Sequence, residues 1–594
     1  MSSIKVIFQP DNITVYVLPG TSIIEAAGRA GILIESTCGG EGTCGKCKIQ
    51  VIEGEIESVG TRLACQTKIN SDCVINIPEE SRHSPQRILT SGLKRRKEIK
   101  PSIWKKYIEL QKSTIENQSA DIDLIKIALG ADFKTDIYMI RRISELLREN
   151  NFRTTCVFSD NELIAIEKGD TTKIDYGVAF DIGTTTLVGT LLDAVTGKEL
   201  SVSSRMNPQI QYGDDIISRI NFSIKKEDGL ENLHYCLIKE LNEMISELAL
   251  KAKIDKRNIY KIVSAGNSTM QHLLLKINPK NLGSIPFSLT VKEGMEIKAK
   301  KVGIEINPDG SLYVFPNIAG FVGGDTVAVI LATEIHRSKD IKLAIDIGTN
   351  GEIVLGNKER LVSASTAAGP AFEGAHITNG MRASEGAIEK VVINDECVKV
   401  NVIGNVAPLG ICGTGLIDAT AEMLRKGIID SSGKILGRNE LKGKISDRLL
   451  NRIIEGKTQN DFLLIEEPDF GRRILITQKD IRELQLAKSA ISAGIKILEK
   501  ELGIKDEEIT EILLAGAFGN FIRRSNAKRI GLIPDVHSEK IKFVGNAASS
   551  GAELVLLSRD LKQEAEFISI NTEYIELSTR ADFNQLFVEE MNFK

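Results

Sequence analysis

The chain has 594 residues, 42% of them apolar and 26% charged, the composition of a globular protein too long for one hydrophobic core. A formal net charge of −4 leaves no basic excess for neutralising a phosphate backbone, so no nucleic-acid partner is expected. No apolar run reaches the ~20 residues that span a bilayer, and the start MSSIKVIFQPDN lacks an apolar leader core, so a cytoplasmic chain without membrane contact is expected.

In chain order, IKVIFQP and ITVYVLP alternate around Asp11-Asn12 and predict a hairpin, and Thr21 is placed to cap a helix over SIIEAAGRAG. CGGEGTCGKC, residues 38 to 47, then puts three cysteines and four glycines into ten positions. KIQVIEGEI and CVINIPEE predict further strands, giving a small α+β domain over residues 1–82.

Cys38, Cys44, Cys47, Cys65 and Cys73 all fall in this segment, and in a reducing compartment such clustering reads as metal ligation rather than disulfides. The spacing Cys38-x5-Cys44-x2-Cys47, followed by Cys65 in RLACQT, lacks the second C-x2-C knuckle of a zinc ribbon, and residues 1–82 contain no histidine. A four-cysteine [2Fe–2S] site fits, with glycines letting the loop wrap closely and aim N–H groups at the sulfides. Cys73, in an apolar strand, rivals Cys65 as the fourth ligand.

Residues 83–120 are rich in Ser, Pro, Lys and Arg, including the solvated run Lys94-Arg95-Arg96-Lys97, and predict a linker with one helix over IWKKYIELQKS. Residues 121–174 predict a small α/β module: helices over DIDLIKIALG and IYMIRRISELLREN, then strands over TTCVFSD and ELIAIEKG.

From Tyr176 the chain turns Gly-rich and β-branched, and it repeats itself. YGVAFDIGTTTLVGTLLD (176–193) and IKLAIDIGTNGEIVLGNK (341–358) share an apolar strand ending in Asp-Ile-Gly-Thr, spaced too far apart for a solenoid. Such a hairpin offers N–H groups and hydroxyls to phosphate oxygens while Asp181 or Asp346 orders Mg2+. VSAGNSTMQHLLL and VGNAASSGAELVLL each open an apolar helix with Gly-Asn, and EILLAGAFGNF runs a strand into a small-residue loop. APLGICGTGLID places Gly413 and Gly415 at a helix start that binds an anion or simply packs closely. Glu352 and Glu373 are candidates to position water or Mg2+, against the plainer role of a surface ion pair. NPQIQYGDDIISRI (207–220) is a candidate to meet phosphate or a partner, against the plainer structural reading, which is preferred.

The first segment resembles the plant- and adrenodoxin-type [2Fe–2S] ferredoxins of β-grasp fold, with a first gap of five residues rather than the plant-type four. The order FDIGTTT, IDIGTNGE, LAGAFGNF with its two Gly-Asn helix openings resembles the actin-like ATPase superfamily. The whole chain resembles the reductive activators of corrinoid proteins of anaerobic methyl transfer. That resemblance implies a multidomain α+β and α/β fold: a β-grasp ferredoxin domain, a linker, a small middle domain, and a duplicated, ribonuclease H-like ATPase domain in halves 175–340 and 341–594. It implies a [2Fe–2S] cluster on Cys38, Cys44, Cys47 and Cys65. It also implies ATP phosphates and Mg2+ at Asp181, Gly183, Thr184, Thr185, Thr186, Asp346, Gly348, Thr349, Asn350 and Gly351, with adenosine at Gly516, Ala517, Gly519 and Asn520.

The implied reaction is ATP-dependent transfer of one electron to an inactive Co(II) corrinoid, giving Co(I). The partner is a corrinoid iron–sulfur protein or a methyltransferase's corrinoid subunit, the source a low-potential donor, and the activator a homodimer. Two other classes compete. One is an actin-like small-molecule kinase with a redox-sensing ferredoxin domain. The other is a dehydratase activator, whose [4Fe–4S] cysteine pair is missing from residues 176–594, where only Cys236, Cys397 and Cys412 occur.

Overall fold

Alternation in IKVIFQ puts Ile4, Val6 and Phe8 on one face, and that face builds the first core. The computed structural model describes the chain apart from residues 1–3, 11, 18, 31, 33, 35–41, 43–44, 46, 55–59, 79–80, 82–98, 117, 369, 468–471 and 517–521. Strand β1 (Ile4–Gln9) pairs antiparallel with β2 (Ile13–Val17). With β3 (Lys48–Glu53), β4 (Gly60–Leu63) and β5 (Cys73–Asn76) the sheet order is β2-β1-β5-β3-β4, β1 and β5 running parallel. Helix α1 (Ile23–Arg29) buries Ile23, Ala26 and Ala27 in the same core, completing a β-grasp. The helix starts one residue later than expected because Thr21 and Ser22 pair with Ile69 and Lys68.

The helix expected over IWKKYIELQKS is instead a strand, β6 (Ile103–Glu109). It joins a sheet of order β6-β8-β9-β7, made with β7 (Lys134–Thr135), β8 (Arg153–Ser159) and β9 (Glu162–Lys168). Seven residue pairs with β8 decide the matter: Trp104 stacks on its register partner Phe158 at 4.2 Å, and the Lys105 side chain is buried against Glu167. Helices α2 (Asp121–Leu129) and α3 (Ile137–Glu149) fall where expected. The module therefore begins within the expected linker rather than at residue 121. It docks on the following domain through Ile103, Val157, Ile164, Ala165 and Tyr260. Tyr260 Oη donates to Glu167 at 2.7 Å and Lys105 Nζ donates to the same carboxylate at 2.8 Å.

The duplication is visible as topology. In the first half, β10 (Tyr176–Ile182), β11 (Thr186–Asp193) and β12 (Glu199–Met206) are antiparallel neighbours, and β13 (Ile259–Gly266) lies parallel beside β10. Edge strand β14 (Met295–Lys298) and parallel β15 (Ser311–Val314) complete the order β12-β11-β10-β13-β15-β14. Helices α4 (Ile216–Lys225), α5 (Gly229–Ala252), α6 (Ser268–Leu274) and α7 (Gly324–Thr333) surround this sheet. The second half repeats the plan with β16 (Lys342–Ile347), β17 (Gly351–Gly356) and β18 (Leu361–Thr366). A small insertion sheet of β19 (Ala387–Ile393), β20 (Val398–Val402) and β21 (Gly410–Ile411) precedes α8 (Gly413–Arg425) and α9 (Gln478–Leu502). Strands β22 (Glu511–Ala515), β23 (Ile541–Gly545) and β24 (Thr572–Tyr574) finish the order β23-β22-β16-β17-β18-β24.

The halves are not spatially separate. Helix α10 (Ala547–Leu557) returns to pack on α7, β10 and β13. One core joins Ala179 and Val263 of the first sheet to Ala344, Val354 and Leu513 of the second through these two helices. Gly551 permits the crossing, since a Cβ there would lie 2.3 Å from the Ala328 carbonyl oxygen. Just past α10, Lys100 donates its N–H to Leu557 O and accepts from Arg559 N, each at 2.9 Å, so the chain arriving from the first domain is pinned beside this helix. Among the described residues no helix is long and apolar enough to cross a membrane.

Candidate nucleotide cleft and cysteine pair

Each DIGT turn is closed by its glycine N–H, over four residues in the first and three in the second. Gly183 donates its N–H to Thr186 O, and Gly348 to Asn350 O, each at 2.9 Å. A Cβ on Gly183 would sit 2.7 Å from Thr186 O, so that turn admits only glycine. The tips meet across the lobes, with Thr185 Oγ1 3.1 Å from Thr349 Oγ1. Glu373 lies between them: both its oxygens are 3.2 Å from Thr185 Oγ1, and Thr349 Oγ1 donates to Oε1 at 2.8 Å.

Helix N-termini hold the first hairpin from behind. Asn546 caps α10 by accepting from Ser549 N and donates to Asp181 Oδ2, each at 2.9 Å. Asn267 caps α6 and donates to Thr184 Oγ1 at 2.9 Å. The segment NPQIQYGDDIISRI is structural: Asn207 Nδ2 donates to Gly183 O at 2.8 Å, and the fully buried Arg219 donates to the backbone oxygens of Gly213 and Thr184.

One cleft is lined by Asp181, Gly183 to Thr186, Asp346, Gly348 to Asn350, Glu352, Glu373, Gly413 and Gly516. Gly516 has φ +82°, and a Cβ on it would meet Asp346 Oδ1 at 2.5 Å, so a bare backbone is required beside that carboxylate. Ala517, Gly519 and Asn520 lie outside the described residues. Two expected positions do not line the cleft. Gly351 lets Thr366 Oγ1 and Ile491 approach β17, and Gly415 lets α8 lie against the Ile388 carbonyl, so both serve packing. The sequence reading missed Asp325 and Glu389, which complete the lining. Asp325 follows Gly323-Gly324 at the start of α7, the same small-residues-then-apolar-helix signal that marks the two Gly-Asn segments.

The cleft is short of positive charge. Burial pushes Asp181 up to about 7, opposed by the Asn546 hydrogen bond and reinforced by Asp325. Asp346 is pushed up to about 7 by burial and by the charges of Asp325 and Asp181. Asp325 itself rises to about 6 through burial, and Glu352 is raised well above the ordinary range by burial, Asp325 and Asp346. Four carboxyls that disfavour one another's ionisation call for a cation. Among the described residues no three His, Cys, Asp or Glu converge as ready ligands. One or two of the four carboxylates, together with phosphate oxygens, would fit Mg2+.

In the first domain, Cys47 Sγ and Cys65 Sγ lie 3.3 Å apart as thiols rather than a disulfide, and Gln66 Nε2 donates to Cys65 Sγ at 3.7 Å. Two thiolates on one tetrahedral metal, with bonds of about 2.3 Å, are separated by about 3.8 Å, so the pair fits a shared iron with little adjustment. Cys73 is held in β5 opposite Val6, and burial pushes its thiol up to about 11, against the thiolate a ligand must be. Cys38 and Cys44 lie outside the described residues.

Comparison with known proteins follows this division. Residues 6–70 match the 2Fe-2S iron-sulfur cluster binding domain, 92–173 the RACo linker region, 176–338 the RACo middle region, and 340–594 the C-terminal domain of RACo, the ASKHA domain. The chain is 37% identical over 581 residues to the corrinoid activation enzyme RamQ of Eubacterium limosum, covering 96% of each. It is 26% identical over 453 residues to the [Co(II) methylated amine-specific corrinoid protein] reductase of Methanosarcina barkeri, covering 70% of this chain and 77% of that one. A solved reductive activator for corrinoid,iron-sulfur protein superposes with a TM-score of 0.75 at 36% identity, over 99% of this chain and 98% of that one. With its [2Fe–2S] domain ahead of an actin-like ATPase domain, the chain belongs to the family of reductive activators of corrinoid proteins.

Proposed function

We propose that this protein spends ATP to return a corrinoid protein from its inactive Co(II) state to Co(I), passing one electron per event from its own cluster. What carries the reading is the coexistence, in one chain, of the Cys47–Cys65 thiol pair and a cleft in which two phosphate hairpins face each other across the lobes. Cys38, Cys44, Cys47 and Cys65 hold the [2Fe–2S] group, which supplies one-electron chemistry at a plant-type potential of about −400 mV. The electron enters from a low-potential donor and leaves to the partner's cobalt; the corrinoid belongs to the partner.

The residues of the cleft divide the work on ATP. N–H groups and hydroxyls of Gly183 to Thr186 and Gly348 to Asn350 take phosphate oxygens. Asp181 and Asp346 would hold Mg2+, and their raised pKa values would fall on binding it. Gly516 to Asn520 receive the nucleoside, and the N-terminus of α8 at Gly413 offers its N–H groups to an anion. Asp325 and Glu352 face the phosphate end, where a carboxylate orients the attacking water. Closure of two lobes about the nucleotide gives the bistable element that an uphill electron transfer needs. A homodimer through the C-terminal domain is part of the proposal.

The test mixes the protein, its cluster chemically reduced, with Co(II) corrinoid proteins of both partner types, with and without Mg2+·ATP, and follows cobalt absorbance. Co(I) formed only with ATP is expected. Failure with every corrinoid partner, alongside phosphorylation of a small molecule, would overturn the proposal in favour of a kinase.

A further inference from the structure

Glu373 ends the short turn Pro370–Glu373 after β18, in the second lobe, yet it reaches the first lobe. Its carboxylate is the common acceptor for the tip hydroxyls of both hairpins, Thr185 at 3.2 Å from each oxygen and Thr349 at 2.8 Å from Oε1. A carboxylate presents two oxygens about as far apart as two oxygens of a phosphate, with the same sign of charge. These hydroxyls are among the groups a terminal phosphate needs. Resting on the nucleotide reading above, we propose that Glu373 is a built-in stand-in for the terminal phosphate and the residue that makes the cleft discriminate triphosphate from diphosphate.

The surroundings say which part moves. Gly374 follows at φ +78°, and a Cβ there would lie 2.3 Å from Met381 O; Gly380 in turn packs on Gly374 O. The backbone after Glu373 is thus packed too closely for a side chain at Gly374 or Gly380, and the displacement is assigned to the Glu373 side chain. It lines two spaces at once: the nucleotide cleft, and a cavity of about 600 Å3 behind it that is bounded by His376 and Arg382. Arg382 lies 3.9 Å from Asp214 of the first lobe. A carboxylate pushed out by phosphate swings towards this cation, giving up its interlobe contact with Thr185 for one within the second lobe. A diphosphate reaches neither tip hydroxyl with a terminal group and leaves Glu373 in place. Binding of triphosphate therefore opposes an internal anion in a recessed site, where like charges repel strongly.

Glu373→Gln keeps the shape and removes the charge; Glu373→Ala removes the stand-in. With the full-length, cluster-loaded protein, the dissociation constants of ADP and of the β,γ-imido analogue of ATP are measured by calorimetry, with Mg2+ and again in EDTA. In Glu373→Gln the triphosphate analogue is expected to bind about tenfold more tightly, equivalent to about 1.4 kcal/mol, while ADP changes less than twofold. The gain persists in EDTA, because competition for hydroxyls needs no metal. Unchanged or weaker triphosphate binding in the Gln variant overturns the proposal, as does a gain that vanishes without Mg2+, which would mark Glu373 as acting on the metal. A wild-type protein that binds neither nucleotide overturns the nucleotide reading and this proposal together. If the Ala variant does not fold, the isosteric Gln variant decides alone.

Discussion

Asn546 performs two tasks that a single substitution can separate. Its side-chain oxygen caps α10, and its amide donates to Asp181 Oδ2 at 2.9 Å. Serine is an equally good cap, so Asn546→Ser should keep the helix start to within about 0.5 kcal/mol, but its hydroxyl is too short to reach Asp181. The remaining cost depends on the charge of Asp181. That carboxyl is pushed up to about 7 in the folded protein, against about 3.9 when unfolded. The folded pKa lies above the unfolded one, so its contribution to stability is fully present below about pH 4 and is lost as pH rises through about 7. Asn546 favours the carboxylate and softens that loss; without it the folded pKa climbs further and the loss steepens. In nucleotide-free, metal-free protein, urea unfolding should find Asn546→Ser near wild type at pH 5. At pH 8.5 it should be weaker by about 1.5–3 kcal/mol, the worth of a hydrogen bond to a charged group. An equal deficit at both pH values would refute the charge-dependent role and leave only the cap.

Other outcomes follow from the same structure. Gly516→Ala should lower nucleotide affinity at least tenfold by metal-free and Mg2+-loaded titration. The left-handed backbone costs alanine about 1–2 kcal/mol, and the new Cβ displaces Asp346 Oδ1. Mg2+·nucleotide binding at pH 6.5 should release about one to two protons as the raised carboxyls of the cleft ionise, read as a buffer-dependent binding enthalpy. Cys47→Ser should lose the two irons, whereas Cys73→Ser should keep them and change only stability, by iron analysis and visible absorbance. Tyr260→Phe, which removes one donor from Glu167 and leaves Lys105 in place, should cost about 1 kcal/mol in unfolding without altering cluster content.

Legibility followed locality. The hairpins were readable because an apolar strand, a Gly-Thr turn and a second strand are contiguous, and their repetition announced two halves before any sheet order was known. Strand β6 was not, because Lys105 and Lys106 in IWKKYIE gave a helical impression that seven pairs with β8, some fifty residues away, overrode. Gly351 and Gly415 sit in motifs that read as phosphate loops, yet their missing side chains accommodate Ile491 and the Ile388 carbonyl, neighbours that no spacing rule names.

The sequence by itself determined the parts: a cysteine loop of iron–sulfur spacing, two phosphate hairpins, and Gly-Asn helix openings, each encoded within a dozen residues by backbone freedom and side-chain chemistry. Only the tertiary structure decided how they meet. It brought Asn546 to Asp181 and Cys65 to Cys47, recruited Asp325 to the cleft, and set Glu373 between the hydroxyls of two lobes. The physical reason is that these contacts arise where α7 and α10 cross between two sheets and where separate strands close one core, and a contact between distant segments leaves no periodic trace in either.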